Sequence, residues 1–192
     1  MSEPVAEGWE DAWRTFHHGV VIGRFWVGPP WEEAPAGAEP IVIDPGRAFG
    51  TGAHPTTRLS LELLQELEPG SLLDVGCGSG VLSIAAAKLG FAPVVGVDLD
   101  EAAIDATREN ARVNGVELAV HRSDALADAL PETDLAVANV TLDVVEGLLP
   151  RLAASRAITS GYLEGEQPDV DDWWPRDRRE ADGWAADLLE HA

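Results

Sequence analysis

Lysine is almost missing from this sequence. Lys88 is the only one beside twelve scattered arginines, and 34 acidic residues bring the formal net charge to −21. A protein that grips a phosphate backbone displaces counterions with clustered cations. The composition therefore argues against a nucleic-acid partner and makes a macromolecular partner a basic one, the plainer alternative being an acidic surface that serves solubility in salt. Cysteine is as scarce: Cys77 stands alone, which excludes an internal disulfide. The histidines at 17, 18, 54, 121 and 191 show none of the paired spacings that hold zinc. No apolar run approaches the roughly 20 residues of a membrane span, and Met1-Ser2-Glu3-Pro4 lacks the positive start of a secretory signal. These absences predict a cytoplasmic protein with no metal, no membrane and no nucleic acid.

What is present is a 192-residue chain with 45% hydrophobic residues, enough for one packed domain and too many for a disordered chain. A loose head is expected over 1–8 and a single domain over 9–192. Its first part, 9–55, holds a short helix at Trp9 to Phe16, a strand pair and a glycine-rich loop; the remainder, 56–192, forms the core. The strand pair is Val20-Val21-Ile22 running into Phe25-Trp26-Val27, then Pro40 to Asp44, across a Pro- and Gly-rich stretch. From Thr56 to Leu67 apolar residues recur at helical spacing, and Pro69-Gly70 ends the pattern. Strands and helices then alternate. Strands are expected at 72–75, 94–98, 118–121, 135–138 and 157–159, with helices at 81–89, 101–113 and 142–152. Asp100 is read as an N-cap and Asn114-Gly115 as a stop. This order predicts an α/β fold with a doubly wound, mostly parallel sheet. The tail reads as less regular, charged and Trp-containing over 169–180, with a last strand at 184–189.

Leu72 to Gly80 reads Leu-Leu-Asp-Val-Gly-Cys-Gly-Ser-Gly at a strand-to-helix junction, where ligands bind in open parallel sheets. A dinucleotide fingerprint fails, because its last glycine position, counted from Gly76, is Val81. The pattern Asp-x-Gly-x-Gly-x-Gly suits a ligand without a pyrophosphate. Gly76, Gly78 and Gly80 let an amino-acid portion lie against the backbone, with Asp74 beneath. Asp98 ends the second strand of the series, 22 residues after Gly76, where a carboxylate accepts hydrogen bonds from both ribose hydroxyls. Asp100 competes for this role, but helix capping explains it. Asp124 follows the third strand, placed to accept from an adenine amine or to serve only as a turn residue.

Three stretches carry a resemblance: Ile43 to Thr57 with its Phe49-Gly50-Thr51-Gly52 centre, Asp74 to Gly90, and Val137-Ala138-Asn139-Val140. Together they resemble the class I S-adenosylmethionine-dependent methyltransferases, and more narrowly the PrmA family, which methylates ribosomal protein L11. Trp9 to Trp13 and Pro30-Trp31 fit as well, so the resemblance covers nearly the whole chain. It implies a Rossmann-like sheet of seven strands. It places Thr57, Gly76, Asp98 and Asn139 at cofactor-contact positions, with Phe49 and Gly50 to Gly52 as a loop closing over the methionine portion. Against that resemblance, the family's usual recognition domain before the Trp-containing segment is expected to be missing, and the region after Gly161 to be abbreviated.

The activity implied is methyl transfer from S-adenosylmethionine to a protein lysine or α-amine, leaving S-adenosylhomocysteine. The acceptor is expected to be a basic protein, a ribosomal protein among them. Asn139 is expected at the reacting centre, its carbonyl orienting the incoming N–H. The Pro-Pro-aromatic sequence that follows this position in adenine and glutamine methyltransferases is absent, which disfavours planar amides and bases as substrates. No general base stands out; Asp143 lies one helical turn away. The alternatives are a small-molecule amine methyltransferase with the same cofactor site and a non-catalytic cofactor-binding subunit.

Overall fold

The computed structural model describes residues 17–45 and 52–192. The expected head, the helix at 9–16, and Phe49, Gly50 and Thr51 lie outside the described residues. Strands β1 (Val20–Ile22), β2 (Phe25–Gly28) and β3 (Glu39–Val42) form a small sheet in that order. The expected strand pair is thus three strands. Gly23, with φ +57°, turns the chain back so that Val20 to Ile22 pairs antiparallel with Phe25 to Val27. Helix α1 (Pro55–Leu64) follows, capped by His54, whose Nδ1 accepts from Thr56 N. It ends earlier than expected, because Glu66 N and Leu67 N bond three residues back, to Leu63 O and Leu64 O.

The remaining elements are β4 (Leu72–Val75), α2 (Val81–Leu89), β5 (Val94–Asp98), α3 (Glu101–Asn114), β6 (Ala119–Arg122), β7 (Leu135–Asn139), α4 (Leu142–Leu148), β8 (Arg156–Leu163), β9 (Trp173–Ala181) and β10 (Trp184–His191). The strands form one seven-stranded sheet, β6-β5-β4-β7-β8-β10-β9. β10 runs antiparallel to both its neighbours; the others run parallel. This is the Rossmann-like doubly wound sheet. α4 gives way to a 3₁₀ turn, Leu149–Arg151, because Pro150 cannot continue the helical hydrogen bonding.

The tail is the main correction. Residues 173–181 are not irregular but form β9, an edge strand whose Pro and charged residues suit an edge and hide the alternation of a strand. Nor is the end of the sheet abbreviated: β9 and β10 complete it. Buried Asp187 binds this end together. Its Oδ2 accepts from Tyr162 Oη at 2.7 Å and from Arg178 Nη1 at 2.8 Å.

Parallel strands covered on both faces should be apolar throughout, and all four residues of β4 are buried. Leu72, Leu135, Val137 and Ile158 pack with α1 and α2 on one face. Leu73, Val75, Val97 and Ala138 pack with Leu148 of α4 on the other. The chain leaves β4 toward β5 on one side, while β7 lies on the other, and the crevice at this reversal is the expected ligand position.

Candidate active site

The carboxyl ends of β4, β5 and β7 open on a cavity of about 350 Å³, within the ordinary range for small-molecule sites. Gly76 and Gly80 in the loop after β4 have φ of +73° and +81°, angles that suit glycine. A Cβ on Gly76 would stand 2.7 Å from Val140 Cγ1, and one on Gly80 2.8 Å from Thr107 Cγ2. These glycines therefore let β7 and α3 close around the loop.

Asp74 lies under the loop at 1% exposure and also lines the cavity. Its Oδ2 accepts from Ser83 N at 3.1 Å and Ser83 Oγ at 2.6 Å, so it caps α2 from the neighbouring strand. Burial pushes its carboxyl up to about 6, against the lowering effect of the two Ser83 bonds. Burial likewise pushes the Cys77 thiol up to about 12, so Cys77 is a neutral wall residue.

Asp98 splits its carboxylate between two backbone N–H groups. Oδ2 accepts from Gly78 at 3.0 Å and Oδ1 from Asp100 at 3.0 Å. The same side chain therefore shapes the glycine loop and presents its remaining lone pairs to the cavity that it lines. Asp100 caps α3 through Ala102 N, as expected. After β6, Asp124 also lines the cavity, while its Oδ1 accepts from Leu126 N at 3.0 Å in a local turn.

At the end of β7, Asn139 Nδ2 donates to Thr57 Oγ1 at 3.3 Å, joining β7 to the first turn of α1. That bond leaves the Asn139 carbonyl oxygen as the acceptor. Val140 N donates to Ser160 O at 2.9 Å, and Gly161, with φ +108°, lies so close beneath that its Cβ would come within 2.0 Å of Val140 O.

A family model described as ribosomal protein L11 methyltransferase (PrmA) matches residues 1–184. The chain belongs to this family. The ribosomal protein L11 methyltransferase of Symbiobacterium thermophilum is 44% identical over 198 residues, covering 95% of this chain and 65% of that protein. The protein of the same name from Photobacterium profundum is 41% identical, covering 86% and 60%. The chain thus spans less than two thirds of the length of these relatives. A crystal structure titled as a ribosomal protein L11 methylase from Lactobacillus delbrueckii subsp. bulgaricus superposes with a TM-score of 0.82 at 30% identity, over 91% of this chain and 98% of that one.

In this member of the PrmA family the cavity brings together Thr57, Asp74, Gly76, Gly78, Asp98, Asp124 and Asn139. Gly80 serves the start of α2, and Gly52 packs on Val27, without lining the cavity. Sequence reasoning missed Leu99 and Leu126. These large apolar side chains, 60% and 43% exposed, both line the cavity, and their apolar character directly after Asp98 and Asp124 was the available signal. It also missed Asn110, buried on α3, whose Oδ1 accepts from Asp44 N at 3.3 Å and whose Nδ2 donates to Ser79 O at 2.8 Å. No group of three or more His, Cys, Asp or Glu among the described residues is placed to hold a metal. No described helix is long and apolar enough to cross a membrane.

Proposed function

We propose that this chain transfers a methyl group from S-adenosylmethionine to a protein amine, a lysine or an N-terminal α-amine, on a basic protein of the ribosomal class. The observation that carries the reading is the Asn139–Thr57 bond beside the glycine loop, at the reversal point of the sheet. Family membership supports it, and the names of the relatives supply the acceptor class.

The residues fit the donor. Gly76 and Gly78 line the cavity with bare backbone, and a Cβ on Gly76 would press on Val140. Asp98 suits a ribose diol, and Leu99 and Leu126 suit an apolar planar base. Three aspartates line the cavity, and no Lys, Arg or His among the described residues does, which favours a ligand of net positive charge. When bound, S-adenosylmethionine supplies an electrophilic methyl on a sulfonium centre.

The protein has then mainly to orient the nucleophile. Thr57 holds the Asn139 amide by its NH₂ group, so its carbonyl accepts an N–H of the acceptor and aims the nitrogen lone pair. A lysine of pKa about 10.4 costs about 4–5 kcal/mol to deprotonate at pH 7, and desolvation in the cavity lowers that cost by disfavouring the ammonium. Asp143 does not take the proton in this reading. The Thr141 hydroxyl holds its carboxyl below the usual range, so it stays ionised and attracts the cationic acceptor.

Incubation with labelled donor, a basic ribosomal-protein fraction and, separately, a pool of small amines tests the proposal. Label in protein is expected. Label confined to small amines would replace the acceptor class, and donor binding without turnover on either pool would make the chain a non-catalytic subunit.

A further inference from the structure

The cavity wall after β6 is a short helical turn held by a residue far along the chain. Asp128 N donates to Asp124 O at 2.7 Å and Ala127 N to the same oxygen at 3.0 Å. The Asp128 carboxylate accepts in return from Asp124 N at 2.9 Å and Ser123 Oγ at 3.1 Å. A turn this short leaves carbonyls at its C-terminal end without helical partners. Arg151, from the 3₁₀ turn after α4, takes two of them. Its Nε donates to Ala125 O at 3.0 Å and its Nη2 to Asp128 O at 2.9 Å. On the same side, Gly147 of α4 leaves room for Leu126, whose Cδ2 lies 3.3 Å from where a Cβ would stand.

We propose that Arg151 is a positioning residue for purine recognition. By clamping the Asp124–Asp128 turn it fixes Ala125 and Leu126 as the apolar wall, and Asp124 as the acceptor, against the base of the donor. Arg151 does not line the cavity and acts only through the turn. A guanidinium suits this task because its planar fork fixes two carbonyls in one relative position, which a lysine ammonium does not. Arg151 is also exposed, so its loss opens no cavity in the core. The inference rests on the adenosyl-donor reading above and names the residue that tunes its base selectivity. An adenine amine donates to the Asp124 carboxylate, whereas the carbonyl of hypoxanthine meets it with a second acceptor.

Calorimetry with S-adenosylhomocysteine and its inosine counterpart, on the wild type and on Arg151→Ala and Arg151→Lys, tests the proposal. The wild type should prefer the adenosine form. Arg151→Ala should bind it about tenfold more weakly and lose most of the preference between bases. Its methyl-transfer rate at saturating donor should stay within about twofold of wild type, the reverse of a defect at the reacting centre. Arg151→Lys should fall between the two, and added methylguanidinium should partly restore Arg151→Ala. Unchanged binding, or equal weakening toward both bases, would overturn the role of Arg151. A wild type that binds neither ligand would instead remove the donor reading itself.

Discussion

Thr57 and Asn139, 82 residues apart in sequence, share a hydrogen bond of 3.3 Å in which the Asn139 NH₂ group is the donor. The bond puts a precise demand on each partner. Asn139→Ala should lower the single-turnover rate about 100-fold, the usual cost of a misplaced nucleophile and equal to about 2.7 kcal/mol of transition-state stabilisation, with donor affinity little changed. Thr57→Val keeps the shape but frees the amide to rotate, and should cost roughly tenfold. If affinity collapses while the rate at saturation survives, Asn139 is a donor anchor and the alignment role fails.

Donor binding should stabilise the fold. At a concentration 100-fold above Kd the gain is about 2.7 kcal/mol, or roughly 5–11 °C in Tm for a domain of this size. NAD should give no shift. Asp98→Asn should shrink the shift more than its size suggests, because one end of its amide brings an NH₂ against the N–H of Gly78 or of Asp100. A full shift in that variant would remove Asp98 from the ribose role.

Asp74 should leave a signature in stability against pH. Burial raises its carboxyl from 3.8 to about 6, so between those values the folded state binds more protons than the unfolded one. Stability is therefore lost as pH rises through that window, by an amount on the order of 3 kcal/mol. Asp74→Asn carries no such ionisation. Its Tm relative to wild type should rise between pH 4 and pH 7, and parallel curves would show that Asp74 ionises as freely folded as unfolded.

Gly161→Ala tests the support beneath the carboxyl end of β7. The new Cβ collides with Val140 O, and the residue keeps a left-handed φ, together costing at least about 1–3 kcal/mol of stability. Because Asn139 directly precedes Val140, single-turnover methyl transfer in the folded variant should fall further than donor affinity does. Thermal melts paired with calorimetry distinguish this from general destabilisation, which would leave the rate per folded molecule unchanged.

The parts of the site that were legible in the sequence are those written in one short string. Asp74 to Gly80 sits between an apolar strand and a small-residue helix, and Asp98 ends the next strand, so spacing alone marks them. Thr57 and Asn139 needed the family resemblance, since neither residue type is unusual in its local context. Arg151, Gly161 and Asn110 were hidden because their roles depend on contacts across 20 or more residues. Arg151 reads locally as a surface charge, and Gly161 as an ordinary weak point in a strand. β9 was misread for a related reason. Its charges follow from its edge position, and the partner that holds Arg178 is Asp187 on the adjacent strand.

The placement of β10 between β8 and β9 bears on how the molecule is assembled. β9 comes earlier in the chain, yet its neighbour in the sheet is β10, so β9 joins the sheet with β10 or after it. Until then β8 presents an open flank of eight residues, a template for pairing with other chains. Ser160, whose carbonyl holds Val140, itself donates to Ala185 O on β10. Closing that flank with β10 therefore also anchors the residue whose carbonyl holds Val140, so the sheet end and the carboxyl end of β7 are tied by the same strand.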